Sequence, residues 1–208
     1  MRAGLIGDDF DPEEVLPKLT EKVEGLIDGY AGEADPFFIY MPLPAPHTPI
    51  LPTEPFRGKS GTNEYGDFCL QVDDTVGRVM AALKQHGLTE NTIVVFTADN
   101  GCSPMADFDE LAEHGHQPSY VFRGMKADIF EGGHRIPFIV RWPEVIRGGS
   151  RSDQTFCLSD LAATMADITG YSLPDDAAED SVSNLPIWDG SATGPVREAV
   201  VHHSINGS

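Results

Sequence analysis

Asp99 and Asn100 stand side by side in T-I-V-V-F-T-A-D-N-G, residues 92–101. A carboxylate beside an amide offers hard oxygen ligands of the kind that Ca²⁺ or Mg²⁺ takes. The residues before them, Ile93 to Phe96, form an apolar and largely β-branched run, suited to a strand buried on both faces. Ligands of open α/β sheets bind just beyond the carboxyl ends of strands, which is where this pair falls. The same Asp-Asn-Gly would also serve as a plain turn, since Asn and Gly tolerate positive φ.

Two further places could do chemistry. His47 lies in A-P-H-T-P, within a loop from Pro42 to Pro55 that holds six prolines. Proline stiffens the backbone, so such a loop can hold an imidazole in place at little further entropic cost. Most loop histidines are merely solvated; this one is a candidate site residue. Arg123, Lys126, His134 and Arg135 then form the most basic patch of the chain. Gly124, Gly132 and Gly133 lie among them and would let backbone approach a ligand closely. Ordinary surface charge is the competing explanation.

Composition narrows the class. The chain has 208 residues and a formal net charge of −19. That charge disfavours nucleic acid or an anionic membrane as partner, but leaves room for a small anion held by a local basic cluster. Three cysteines form neither a disulfide framework nor a metal-binding spacing. No apolar run reaches membrane-spanning length. Met1 to Phe10 contains no apolar h-region, which bears on location only if Met1 is the native start.

The elements that must position these residues are legible in outline. Asp11-Pro12-Glu13-Glu14 reads as a helix start, followed by Leu16, Leu19, Val23, Leu26, Ile27 and Tyr30 at helical spacing, with Gly29 and Gly32 as stops. Pro36 to Met41 reads as a second buried strand. From Tyr65 the pattern is helical through Phe68, Cys69, Val72, Val76, Val79, Met80 and Leu83, ending at Gly87. Strand, loop, helix, strand is a βαβ crossover, whose usual outcome is a parallel sheet. Cys102 to Tyr120 reads as an irregular connection, Pro137 to Trp142 as a third strand, and Leu158 to Ile168 as a helix capped by Ser159. Val196 to Ile205 suggests the start of another strand.

Taken in order, five segments resemble the C-terminal half of a sulfatase catalytic domain, from the arylsulfatase branch of the alkaline-phosphatase-like fold. They are P-F-F-I-Y-M-P-L-P-A-P-H-T-P at 36–49, Y-G-D-F-C-L-Q-V-D-D-T-V-G at 65–77, T-A-D-N-G at 97–101, R-G-M-K-A-D-I-F-E-G-G-H-R-I-P-F-I-V-R-W-P at 123–143, and L-S-D-L-A-A-T at 158–164. The fold implied is α/β, a mostly parallel sheet flanked by helices and incomplete at its N-terminal side. Residues 1–194 would be a partial catalytic domain, and 195–208 the start of a truncated C-terminal segment.

The resemblance also implies roles. Asp99 and Asn100 match the pair that binds one divalent cation, usually Ca²⁺. His47 matches a histidine near the leaving oxygen of the sulfate ester, and Lys126 a lysine on a sulfate oxygen. The substrate would be a sulfated small molecule or glycan, and a periplasmic or secreted location is expected. The family's nucleophile is a formylglycine made from the cysteine of C-x-P-S-R or C-x-A-S-R, expected in the N-terminal half, and neither motif occurs in these residues. Cys102-Ser103-Pro104-Met105-Ala106 imitates its start but lacks the arginine. Cys69 and Cys157 read as core. Asp8-Asp9 resembles a further metal pair superficially and reads as helix-start charge. Two other functions stay open: a metal-dependent phosphatase or phosphodiesterase of the same fold, and a non-catalytic anion-binding relative. The 208 residues by themselves are expected to be inactive.

Overall fold

The computed structural model describes residues 7–203. The last residues of the expected 195–208 segment, and Met1 to Ile6, lie outside them. The chain divides into two compact units: residues 1–89 with 98–136, and residues 90–97 with 137–208.

The first unit is built on two helices. The Asp11 carboxylate accepts the Glu13 N–H at 3.0 Å and opens a 3-10 turn, Pro12–Glu14, which runs into α1, Val15–Tyr30. Pro17 sits in its first turn, where a missing N–H costs nothing. Leu16, Thr20, Val23 and Ile27 are buried, one stripe along one face. Gly32, at φ +91°, completes the stop. The second helix, α2, spans Glu64–Gln85, and its N-cap is Asn63, whose Oδ1 accepts the Gly66 N–H at 3.2 Å. The two helices pack together, and Phe68, Val72 and Leu83 of α2 are buried, as is the α1 stripe. Thr20 and Thr75 share a hydroxyl hydrogen bond of 3.1 Å in this seam, and Arg78 forks onto Glu24 at 2.9 and 2.5 Å. Two short helices complete the unit: α3, Phe108–Glu113, and α4, Glu131–His134. The first breaks up the connection expected to be irregular; Asp107 caps it, accepting the Glu110 N–H at 3.1 Å.

The second unit carries β1, Val94–Thr97, β2, Phe138–Arg141, α5, Asp160–Thr169, and α6, Leu185–Trp188. Ser159 occupies the cap position of α5, yet its hydroxyl makes no capping bond. Asp160 organises the region instead. Its buried carboxylate accepts the N–H groups of Cys157 and Val182, each at 2.9 Å, and pairs with Arg197. Thr164 links α5 to the approach of α6, donating to the Asp160 carbonyl at 2.6 Å and accepting the Asn184 N–H at 2.9 Å.

The sheet departs from expectation. Among the described residues it has two strands, β1 and β2, and they run antiparallel, in the register Val94↔Arg141 to Thr97↔Phe138. The mostly parallel, alkaline-phosphatase-like sheet and the βαβ crossover are therefore not observed. β1 is half-buried along its length, not buried on both faces, and Ile139 of β2 is exposed; an apolar run does not say which neighbour a strand pairs with, in which direction, or what covers it. Residues 36–41 form no strand, and Phe38 and Tyr40 are 81% and 79% exposed. A strand exists only where a partner backbone takes up its N–H and C=O groups. Phe37 stacks on Tyr30 instead, ring centroids 5.5 Å apart. Residues 196–203 likewise form no strand. Among the described residues no helix is long and apolar enough to cross a membrane.

Candidate active site

All four residues singled out in the sequence, His47, Asp99, Asn100 and Lys126, fall in the first unit. Asp99 is exposed and Asn100 half-buried, on the bend that follows β1. The Asn100 amide donates to the Gly101 carbonyl at 3.0 Å. With its Nδ2 engaged there, Oδ1 is the atom left to face a ligand, as a hard cation requires.

Lys126 is brought to this bend by backbone. Its N–H donates to the Cys102 carbonyl at 2.8 Å, and the Gly101 N–H donates to the Gly133 carbonyl at 2.8 Å. Two strips of chain, 101–102 and 126–133, are thus clasped side by side. Glycine is what permits it. A Cβ built on Gly101 would drive into the Gly132 carbonyl, one on Gly132 into the Gly124 carbonyl, and one on Gly133 into the Asp128 carbonyl. The Lys126 loop is closed on itself by Asp128, whose Oδ2 accepts the Met125 N–H at 2.9 Å while its own N–H returns to the Met125 carbonyl at 3.0 Å. Asp128 was not legible as a functional residue. Its place two residues after the lysine, in a glycine-rich loop, was the available signal.

The other basic residues of this patch are engaged locally. The Arg123 guanidinium lies 3.6 Å from the centroid of the Phe130 ring. Arg135 pairs with Glu131 at 2.7 Å and lies 4.6 Å from the Phe122 ring centroid. His134 donates from Nε2 to the Ile129 carbonyl at 2.6 Å. Among the described residues no ring or carboxylate contact is seen for Lys126, which is half-buried. These contacts make the loop's shape, and leave Lys126 as the cation suited to an incoming anion.

His47 is exposed on its proline-rich loop, with its Nδ1 2.8 Å from the Thr48 carbonyl. A carbonyl can only accept, so Nδ1 carries the proton and Nε2 is the nitrogen left to act on a ligand. The loop's far end is anchored on α2, where the buried Gln71 side-chain carbonyl accepts the Thr53 N–H at 2.9 Å. Among the described residues no hydrogen bond or ion pair joins His47 to Asp99, Asn100 or Lys126.

The donor set fits a hard cation in part. Asp99 and Asn100 supply oxygens, whereas Ca²⁺ takes six to eight. No group of three or more His, Cys, Asp or Glu side chains able to hold a metal occurs among the described residues.

The chain belongs to the sulfatase family: the family model named Sulfatase matches residues 14–171. It is 37% identical over 201 residues to an N-acetylgalactosamine-6-O-sulfatase of Bacteroides thetaiotaomicron, covering 93% of this chain and 38% of that protein. It is 34% identical over 183 residues to an arylsulfatase of Hemicentrotus pulcherrimus, covering 88% of this chain and 32% of the relative. The chain thus spans well under half the length of these relatives. Among solved structures it is similar to one from work on the metabolism of multiple glycosaminoglycans by Bacteroides thetaiotaomicron, with a TM-score of 0.86 and 36% identity over 95% of this chain and 41% of that one. The PsFucS1 sulfatase of a Pseudoalteromonas species matches with a TM-score of 0.73 and 27% identity, over 85% of this chain and 34% of that one.

Proposed function

We propose that this chain contributes part of the active site of a sulfuric ester hydrolase that cleaves sulfate monoesters of a carbohydrate or aryl substrate. The observation that supports the reading is the clasp between residues 101–102 and 126–133, which ties the Lys126 backbone to Cys102, two residues after Asn100, in a chain of sulfatase sequence. Asp99 and the Asn100 Oδ1 hold one divalent cation, Ca²⁺ above all. That cation supplies positive charge against the sulfate oxygens. Lys126 contacts a sulfate oxygen and stabilises the charge it carries as the S–O bond breaks. His47, keeping Nδ1 on the Thr48 carbonyl, takes up a second proton at Nε2 and gives it to the departing oxygen. The nucleophile, a formylglycine, comes from sequence outside these 208 residues. By likeness to its relatives the protein works outside the cytoplasm, periplasmic or secreted, on a sulfated glycan or small sulfate ester.

The reading is tested on the complete gene product with Asp99→Ala, measuring calcium content and turnover of an aryl sulfate together. Both should be lost almost entirely. Full calcium occupancy in the variant refutes the metal assignment.

A further inference from the structure

Lys126 stands at the corner of a β-turn. The Asp128 N–H donates to the Met125 carbonyl at 3.0 Å, which closes a turn over Met125–Asp128 with Lys126 and Ala127 at its centre. Ala127, and not Lys126, has a positive φ, +80°. That is the type II pattern, whose third residue is ordinarily glycine. An alanine there is strained, and such a backbone persists only where its surroundings over-determine it.

Asp128 supplies the constraint. Its Oδ2 accepts the Met125 N–H at 2.9 Å, so both backbone groups of the residue before Lys126 end on Asp128. Gly124 makes room for that carboxylate: a Cβ on it would stand 2.9 Å from Oδ2 and 3.0 Å from the Asp128 Cβ. The Lys126 N–H is fixed in turn on the Cys102 carbonyl at 2.8 Å. Among the described residues no ion pair joins Asp128 to Lys126. The carboxylate therefore works on the turn as a hydrogen-bond acceptor and does not neutralise the lysine.

We propose that Asp128 is a positioning residue for sulfate binding: it latches the strained turn and so sets the direction in which Lys126 leaves the backbone. The inference rests on the reading of Lys126 as the contact to a sulfate oxygen. A lysine side chain is long and flexible, so the fold can fix only its root, and the latch fixes that root. Misplacing a binding group by about 1 Å can cost on the order of 100-fold in rate. Losing one acceptor from the turn should account for about tenfold of this. Asparagine in place of Asp128 keeps an oxygen for the Met125 N–H and removes a negative charge that repels sulfate. It should therefore recover what alanine loses.

The experiment is a double-mutant cycle on the complete gene product, reading kcat/KM for an aryl sulfate, with amide exchange at Met125 followed in the same variants. Lys126→Ala should lower kcat/KM on the order of 100-fold. Asp128→Ala should lower it about tenfold and release the Met125 N–H to exchange. Asp128→Asn should bring both readouts back to within about threefold of the unsubstituted enzyme. With Lys126→Ala already present, Asp128→Ala should cost less than about twofold more, because no ammonium is left to aim. A merely structural role would give the same loss in both backgrounds, and that result overturns the proposal. So does an Asp128→Asn loss as large as that of alanine, or an Asp128→Ala enzyme that exchanges faster at Met125 yet turns over normally. Lys126→Ala at the unsubstituted rate would mark a different failure, that of the sulfate contact itself, and would take this inference with it.

Discussion

Gly101 is where the site's geometry is most exposed to a single methyl group. Its N–H bonds the Gly133 carbonyl, and a Cβ there would drive into the Gly132 carbonyl oxygen and stand 2.8 Å and 3.1 Å from the carbonyl carbons of Gly132 and Gly133. All three are backbone atoms, which cannot rotate aside as a side chain would. Gly101→Ala must therefore push the two strips apart. Overpacking of this kind costs about 1–3 kcal/mol, and loss of the Gly101–Gly133 hydrogen bond adds about 1 kcal/mol. The sum, about 2–4 kcal/mol, falls on the local opening of the clasp. Tenfold per 1.4 kcal/mol converts this to a loss of protection on the order of 30- to 1000-fold. The assay is amide hydrogen exchange at Lys126, whose N–H bonds the Cys102 carbonyl next to the substituted residue. Gly77 is the control. It lies inside α2 with nothing within 4 Å of its would-be Cβ. Gly77→Ala should therefore stabilise by about 0.5–1 kcal/mol and leave Lys126 exchange unchanged or slower. Unaltered Lys126 protection in Gly101→Ala, or equal losses in both variants, would show that the clasp does not hold the lysine loop.

Two more outcomes follow from other contacts. In the complete enzyme, His47→Ala should slow aryl sulfates with poor leaving groups more than those with good ones, because a good leaving group needs less protonation, whereas Lys126→Ala should slow both alike; parallel losses across the series would sink that division of roles. Burial pushes the Asp160 carboxyl up, but Arg197 and the N–H groups of Cys157 and Val182 outweigh it and hold the group below its usual 3.8. Its contribution to stability is thus full above that value and is lost as pH falls through the lower folded value. Asp160→Ala should cost about 1–3 kcal/mol at neutral pH, since it takes the acceptor from the N–H groups of Cys157 and Val182 and the carboxylate from Arg197, and should flatten the acid limb of a denaturation profile; an unchanged acid limb would remove Asp160 as its cause.

The sequence by itself determined what depends on neighbours a few residues apart. Asp11-Pro12-Glu13 starts a helix because a carboxylate and a proline act on the very N–H groups next to them, and the Leu16–Ile27 stripe repeats at the helix period whatever it packs on. Gly32, Gly87 and Gly170 stop helices through their own φ, at +91°, +69° and +70°. The ordered motifs carried the family, and with it the four candidate residues. Tertiary structure decided everything that needs a partner distant in the chain. Phe37–Tyr40 and Val94–Thr97 are both apolar runs, yet only the second is a strand, because only it has a backbone neighbour, and that neighbour runs antiparallel. Asn63 is a cap whose amide also reaches the Ala106 carbonyl at 3.0 Å, a contact no local pattern announces. The same holds for the Cys102 thiol on the Tyr65 hydroxyl, and for the glycine clasp that joins the Lys126 loop to residues 101–102. Spacing along the chain names the chemical groups. Which of them meet is set by steric fit and by hydrogen-bond pairing between segments that the sequence keeps apart.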